Sequence, residues 1–286
     1  MSSGLDDLSL LAPCSTLYAL CSTPDGEEFR LTVGLLFAFL FGLALGSFLN
    51  VCIYRIPLKK SIVHPPSSCP NCGAEIRFYD NIPVISYILL LGRCRQCHAP
   101  ISFRYPLVEL ITGLLSAALF IKFGLSPNYI LLFLFTASLI AIAFIDLQHK
   151  IIPDVISLPG ILVGVVFSFF PSAGISPLEA LIGVVGGGGF LFLVGTAFEK
   201  VTGREGMGGG DVKLLAMIGA WMGWKALPFI ILISSLSGAV IGGVSLAASR
   251  QGVGSRIPFG PFLALGALVF LFFGDDIVLW FYRLGR

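Results

Sequence analysis

Apolar residues run along the chain in blocks, near residues 31–53, 105–123, 127–147, 154–171, 177–201, 211–224, 226–249 and 258–282, most of them long enough to cross a lipid core. A lipid interior leaves no partner for an open strand edge, so each block is read as a helix. The pattern predicts an all-α polytopic membrane protein with about eight transmembrane helices. The weakest block is 211–224, shorter than the ~20 residues of a full crossing. It runs into its successor through Gly223, Trp224, Lys225 and Pro228, and so reads as buried, tilted or continuous with its neighbour.

The polar intervals orient the blocks. Residues 1–30 hold Asp6, Asp7, Asp25, Glu27 and Glu28 against Arg30, and they lack the basic start of a cleavable signal peptide. They read as an acidic external tail ahead of the first helix, 31–53. The loop 54–104 is opposite in character, with Arg55, Lys59, Lys60, Arg77, Arg93, Arg95 and Arg104 against Glu75 and Asp80. The excess of positive charge makes it cytoplasmic. Eight crossings then put Lys150, Lys200, Arg204, Lys213, Arg250 and Arg256 on the same side and both termini outside, with Arg283 and Arg286 as a mild exception. The remaining chain, 105–286, reads as the helical bundle that carries any intramembrane chemistry.

Composition agrees, with 56% hydrophobic and 12% charged residues. The net charge of +2 says little about partners, since location along the chain is what matters in a bilayer. The lipid bilayer is one partner, and no nucleic acid is expected.

Within this topology Asp146 ends the third block and Asp211 begins the sixth, so both carboxylates arrive at the cytoplasmic interface. Carboxylates at such depth are costly and usually functional. Each alone could simply cap or snorkel at a helix end; two together suit an aspartyl hydrolase. Such chemistry uses one carboxylate as base on a water while the other donates a hydrogen bond to the scissile carbonyl. Gly208, Gly209 and Gly210 precede Asp211, removing side-chain bulk and widening the backbone choice beside it; their plain reading is a flexible loop. Asp154 follows Pro153 and is assigned to capping the next helix. Glu109 lies one turn inside the second block, facing the bundle or a cavity, where it could bind substrate or orient the site. Glu199 and Glu205 read as solvated.

The loop carries Cys69-Pro70-Asn71-Cys72 and Cys94-Arg95-Gln96-Cys97, two CxxC pairs twenty-one residues apart. Four thiolates so spaced predict a closed structural zinc site, with iron or an iron–sulfur cluster as lesser options and His98 as a possible substitute ligand. The result is a small zinc-binding loop domain. Cys14 and Cys21 share the external tail, where a disulfide could form, and Cys52 reads as a small apolar residue of the first helix.

Taken together, Asp-x6-Pro-Asp at Asp146 to Asp154 and Gly-Gly-Gly-Asp-Val-Lys at 208–213 resemble the type IV prepilin peptidases, bacterial inner-membrane aspartyl proteases with a Gly-x-Gly-Asp motif. Gly46-Ser47-Phe48-Leu49-Asn50-Val51, the CxxC pairs, Asn81-Ile82-Pro83, Arg104-Tyr105-Pro106-Leu107-Val108-Glu109 and Pro258-Phe259-Gly260-Pro261-Phe262 also look like signatures of that family. The resemblance implies catalytic roles for Asp146 and Asp211. It also implies cleavage of the basic leader of prepilins or type II secretion pseudopilins after a glycine, at the cytoplasmic face of the inner membrane. By the same resemblance the new amino terminus would be methylated with S-adenosylmethionine.

No methyltransferase fold is legible from the residues, because no soluble βαβ unit with a glycine-rich turn is present. Gly183 and Gly186 to Gly189 lie inside the fifth block and read as close helix packing. Gly92 and Arg93 are the candidates for a cofactor site, with arginine standing where the family pattern more commonly has lysine. Asn50 and Lys213 are candidates to meet an acidic group of the substrate. From another class, a transporter or channel would use Asp146, Asp211 and Glu109 to bind ions or protons. A zinc-bearing scaffold would explain the cysteines but not the membrane aspartates.

Overall fold

The computed structural model describes residues 24–203, 208–248 and 258–284. Cys14, Cys21 and the other residues of the 1–23 segment, together with Arg204, Glu205, Arg250, Arg256 and Arg286, lie outside the described residues. The elements in order are α1 (Pro24–Arg55), α2 (Ile85–Leu89), α3 (Arg104–Phe123), α4 (Pro127–His149), α5 (Asp154–Phe167), α6 (Pro177–Thr202), α7 (Gly209–Met222), α8 (Leu227–Ala248) and α9 (Gly260–Leu284).

Local chemistry sets the helix ends. Ser126 accepts the Tyr129 N–H at the start of α4, with Pro127 in the first turn, and Lys150 closes the helix in the left-handed conformation. Ser176 and Glu179 form a reciprocal capping box on α6, which ends at Gly203 with φ 67°.

Six helices, namely α1, α3, α4, α6, α8 and α9, are long and apolar enough to cross a membrane. The expected eight full crossings are therefore not all present at full length. α5 and α7 have fourteen residues each, about 21 Å against a hydrocarbon core of ~30 Å. α5 stops at Phe167, well before residue 171, because the apolar stretch after it turns back on itself: the Ser168 hydroxyl bonds the Val165 carbonyl, and a 3-10 turn starts at Pro171. α7 is an interior helix with Leu214 to Trp221 all buried.

Small residues let helix backbones touch. A Cβ on Gly183 would lie 2.2 Å from the Gly219 carbonyl oxygen, and one on Gly187 would lie 2.6 Å from that of Leu215, so α6 meets α7 with nothing between them. α5 covers another side of α7, where the Trp221 indole N–H donates to the Gly160 carbonyl at 2.8 Å. α1 and α3 pair similarly, a Cβ on Gly46 falling 2.7 Å from the Glu109 Cα. The result is a core helix, α7, wrapped by its neighbours, with its N-terminus at the end of the bundle where α4 finishes.

Candidate active site

Asp146 sits in the last turn of α4 and is 5% exposed. Its Oδ2 accepts the backbone N–H of Gly260 at 3.0 Å, at the first residue of α9. A Cβ on Gly260 would fall 2.7 Å from that oxygen, so the position tolerates only glycine without a shift. This supporting donor is a main-chain group, and residue type alone does not announce it; the signal was the Pro-Phe-Gly-Pro-Phe run, whose reason is now visible.

Asp211 lies in the first turn of α7, partly buried, near enough to Asp146 for the two charges to bear on one another. The three preceding glycines have separate roles. Gly210 is packed, since a Cβ there would meet Ile152 at 2.9 Å; Gly209 faces open space; Gly208 leads into the helix at φ −71° and ψ 138°, extended backbone that any residue adopts. The run thus supplies room and close packing rather than unusual backbone angles. Ile152, not singled out from sequence, presses the α4–α5 connection against the Asp211 helix.

The other candidates are engaged with protein partners. Asp154 does not cap α5, whose N-cap is Pro153; it pairs with Lys213 at 2.7 Å, joining the starts of α5 and α7 beside the aspartates. Lys213 is thereby occupied within the protein. The Asn50 amide donates to the Tyr105 carbonyl at 3.0 Å, tying α1 to the start of α3. Glu109 is buried and accepts the Val84 N–H at 2.8 Å, with the Ser47 hydroxyl beside it. Arg104 reaches the Gln148 amide oxygen, two residues beyond Asp146, a contact between the α3 start and the end of α4 that sequence reading did not single out. Glu199 is exposed.

The four loop cysteines come together with all Sγ atoms within 4.8 Å of one another. The Cys69–Cys97 pair is 3.8 Å apart, the edge expected of a tetrahedron with metal–sulfur bonds of about 2.3 Å. Two matching turns build the cluster. In one the Gly73 N–H bonds the Cys69 carbonyl and the Cys69 N–H bonds that of Ala74; in the other His98 and Ala99 repeat the pattern on Cys94. Gly73 and His98 hold φ 71° and 56°, so His98 forms the turn and is not among the clustered ligands. Hydrogen bonds from the Ala99 N–H, and then the Asn71 side chain, lower the Cys97 thiol to about 6, while Cys72 in the same cluster is pushed up to about 11.

Gly92 and Arg93 lie at the end of the turn that leads into the second cysteine pair. Gly92 is buried at φ 67° with Tyr87 against it, and Arg93 pairs with Pro100 as an isolated bridge beside the second cysteine turn, its side chain exposed.

Residues 40–123 match the family model described as Bacterial Peptidase A24 N-terminal domain, and residues 133–243 match that of the Type IV leader peptidase family. Relatives named Prepilin leader peptidase/N-methyltransferase include one from Pseudomonas aeruginosa, 42% identical over 264 residues, covering 83% of this chain and 90% of the relative. Another, from Burkholderia pseudomallei, is 37% identical over 293 residues and covers 94% and 93%. A third, from Aeromonas hydrophila, is 42% identical over 273 residues and covers 85% and 92%. No solved structure matches the chain.

Proposed function

This chain belongs to the type IV leader peptidase family, and on that premise we propose that it removes the leader from type IV prepilins or type II secretion pseudopilins and methylates the amino terminus so released. The observation that supports the peptidase reading is that Asp146 at the end of α4 and Asp211 at the start of α7, distant in sequence, lie at one end of the bundle within electrostatic reach of one another, with open space at Gly209. One carboxylate takes a proton from water as it attacks the scissile carbonyl, and the other, protonated, donates to the carbonyl oxygen. The Gly260 N–H fixes the Asp146 carboxyl while that exchange proceeds. An extended peptide has room to pass at Gly209, and a basic leader is drawn toward the carboxylates.

The same reading places the protein in the bacterial inner membrane, with the aspartates and the basic cysteine loop on the cytoplasmic side and both termini in the periplasm. Cys69, Cys72, Cys94 and Cys97 hold a structural Zn²⁺, which, with no open coordination position, fastens the loop and takes no part in cleavage. The relatives' names imply a methyl donor, and S-adenosylmethionine is the donor this reading assigns.

The test incubates purified protein with a prepilin peptide, with and without S-adenosylmethionine, and reads product masses. Cleavage is expected in both arms and a methyl increment only with the donor. Asp146→Asn and Asp211→Asn are each expected to lower cleavage ~10⁴-fold or more. Near-normal cleavage by either variant would remove the aspartyl mechanism.

A further inference from the structure

We propose that residues 78–91 of the cysteine loop form an interfacial wedge that inserts into the headgroup region of the bilayer and binds anionic phospholipid. Three observations point the same way: depth, exposed apolar side chains and charge.

Depth comes from the Val84 N–H, which is bonded to the Glu109 carboxylate at 2.8 Å. Glu109 lies five residues into α3 from Arg104, about 7 Å along the helix axis. The loop therefore returns to a level below the helix end before it emerges toward Cys94. Its turn is sharp and held against local preference: Val84 adopts φ 62° and ψ −48°, and the Ile85 N–H closes back on the Pro83 carbonyl at 2.6 Å. A β-branched residue reaches that region only where the surroundings impose it, and Glu109 is the group that does so.

Immediately after this dip, α2 turns its apolar side chains outward. Ile88 and Leu89 are 63% and 76% exposed, and Leu91, just beyond the helix, is 85% exposed. Phe78 and Phe103, on either side in the chain, are 87% and 66% exposed. Five large apolar side chains left exposed along one short stretch of chain suit a binding surface, and apolar side chains at this depth meet the boundary of acyl chains and headgroups.

Charge selects the lipid. The loop 54–104 carries seven basic residues against Glu75 and Asp80, and Asp80 is already paired with Arg95 at 2.6 Å. Arg95 also holds the Asp80 carboxyl below the usual carboxylate range, so that acid stays ionised and satisfied inside the loop. The surplus is positive, and Arg77 and Arg93 flank the apolar stretch in the chain, the combination that anionic headgroups attract.

The experiment places a benzophenone amino acid at Leu89, and separately at Leu91, in the full chain reconstituted in nanodiscs of phosphatidylglycerol and phosphatidylcholine. Glu75, an exposed acid that an anionic surface repels, is the control position. After irradiation, mass spectrometry counts phospholipid adducts, and the metal-to-protein ratio verifies that the loop is folded. Adducts at positions 89 and 91 several-fold above the control are expected, with lower yield when phosphatidylglycerol is replaced by phosphatidylcholine. Adduct yields at the control level, a yield indifferent to lipid charge, or crosslinks to a second copy or another protein instead of lipid would each overturn the proposal. None of these readouts depends on leader cleavage.

Discussion

The helical bundle and the cysteine loop solve the same problem by opposite means. In the bundle, α6 and α7 meet backbone to backbone at Gly183 and Gly219, and α7 is buried from Leu214 to Trp221. In the loop between Ile56 and Phe103 only Cys69, Ser86 and Gly92 are buried. So short a segment cannot build an apolar core, and its order comes from two paired turns and four thiols around one point. Close packing is strong but intolerant of added volume; a loop gathered on four thiols has little packing to lose and, with a metal bound there, would depend on its ion.

That contrast can be broken from either side. Stripping the metal with a strong chelator, or Cys97→Ser, removes a contribution on the order of 10 kcal/mol and should unfold the loop alone. Protease cutting between the two cysteine turns would rise sharply, while helical circular dichroism of the bundle stays near its original value. Gly183→Ala puts a Cβ within 2.2 Å of the Gly219 carbonyl and should cost about 1–3 kcal/mol. It would be read as a lower melting point in detergent with metal content unchanged. The Val84–Glu109 bond joins the two regions, and Glu109→Leu should cost about 1.5–3 kcal/mol, seen as faster amide exchange at Val84 with the thiol cluster still occupied. The smallest effect belongs to the Asp154–Lys213 pair, whose side chains are 56% and 40% exposed. Lys213→Met should change stability by no more than ~1 kcal/mol, and a larger loss would mean that the pair carries structure beyond its charge.

The sequence exposed the parts of this protein that depend on residue type. Asp146, Asp211 and the four cysteines stand out because carboxylates near lipid and thiols at metal spacing are unusual in themselves. Apolar blocks located every long helix, but an apolar count does not register where a helix stops. Phe169 and Phe170 extend the hydrophobic block past α5 although the chain has already turned at Ser168. Partnerships through the main chain were equally hidden. The donor to Asp146 is a backbone N–H, as is the group on Glu109, and every non-proline residue has one. The pairing of Lys213 with Asp154 across the fold was likewise invisible in the sequence.

The Asp146–Gly260 bond also bears on how much of the chain an active fragment must contain. The stretch matching the Type IV leader peptidase family ends at residue 243, and it holds both aspartates. Gly260, which orients one of them, lies beyond that limit at the head of the final helix. A truncated protein trimmed to the recognisable segment would keep both aspartates yet leave Asp146 without its tether, so the last helix would be needed to hold that carboxyl in place as much as to anchor the chain.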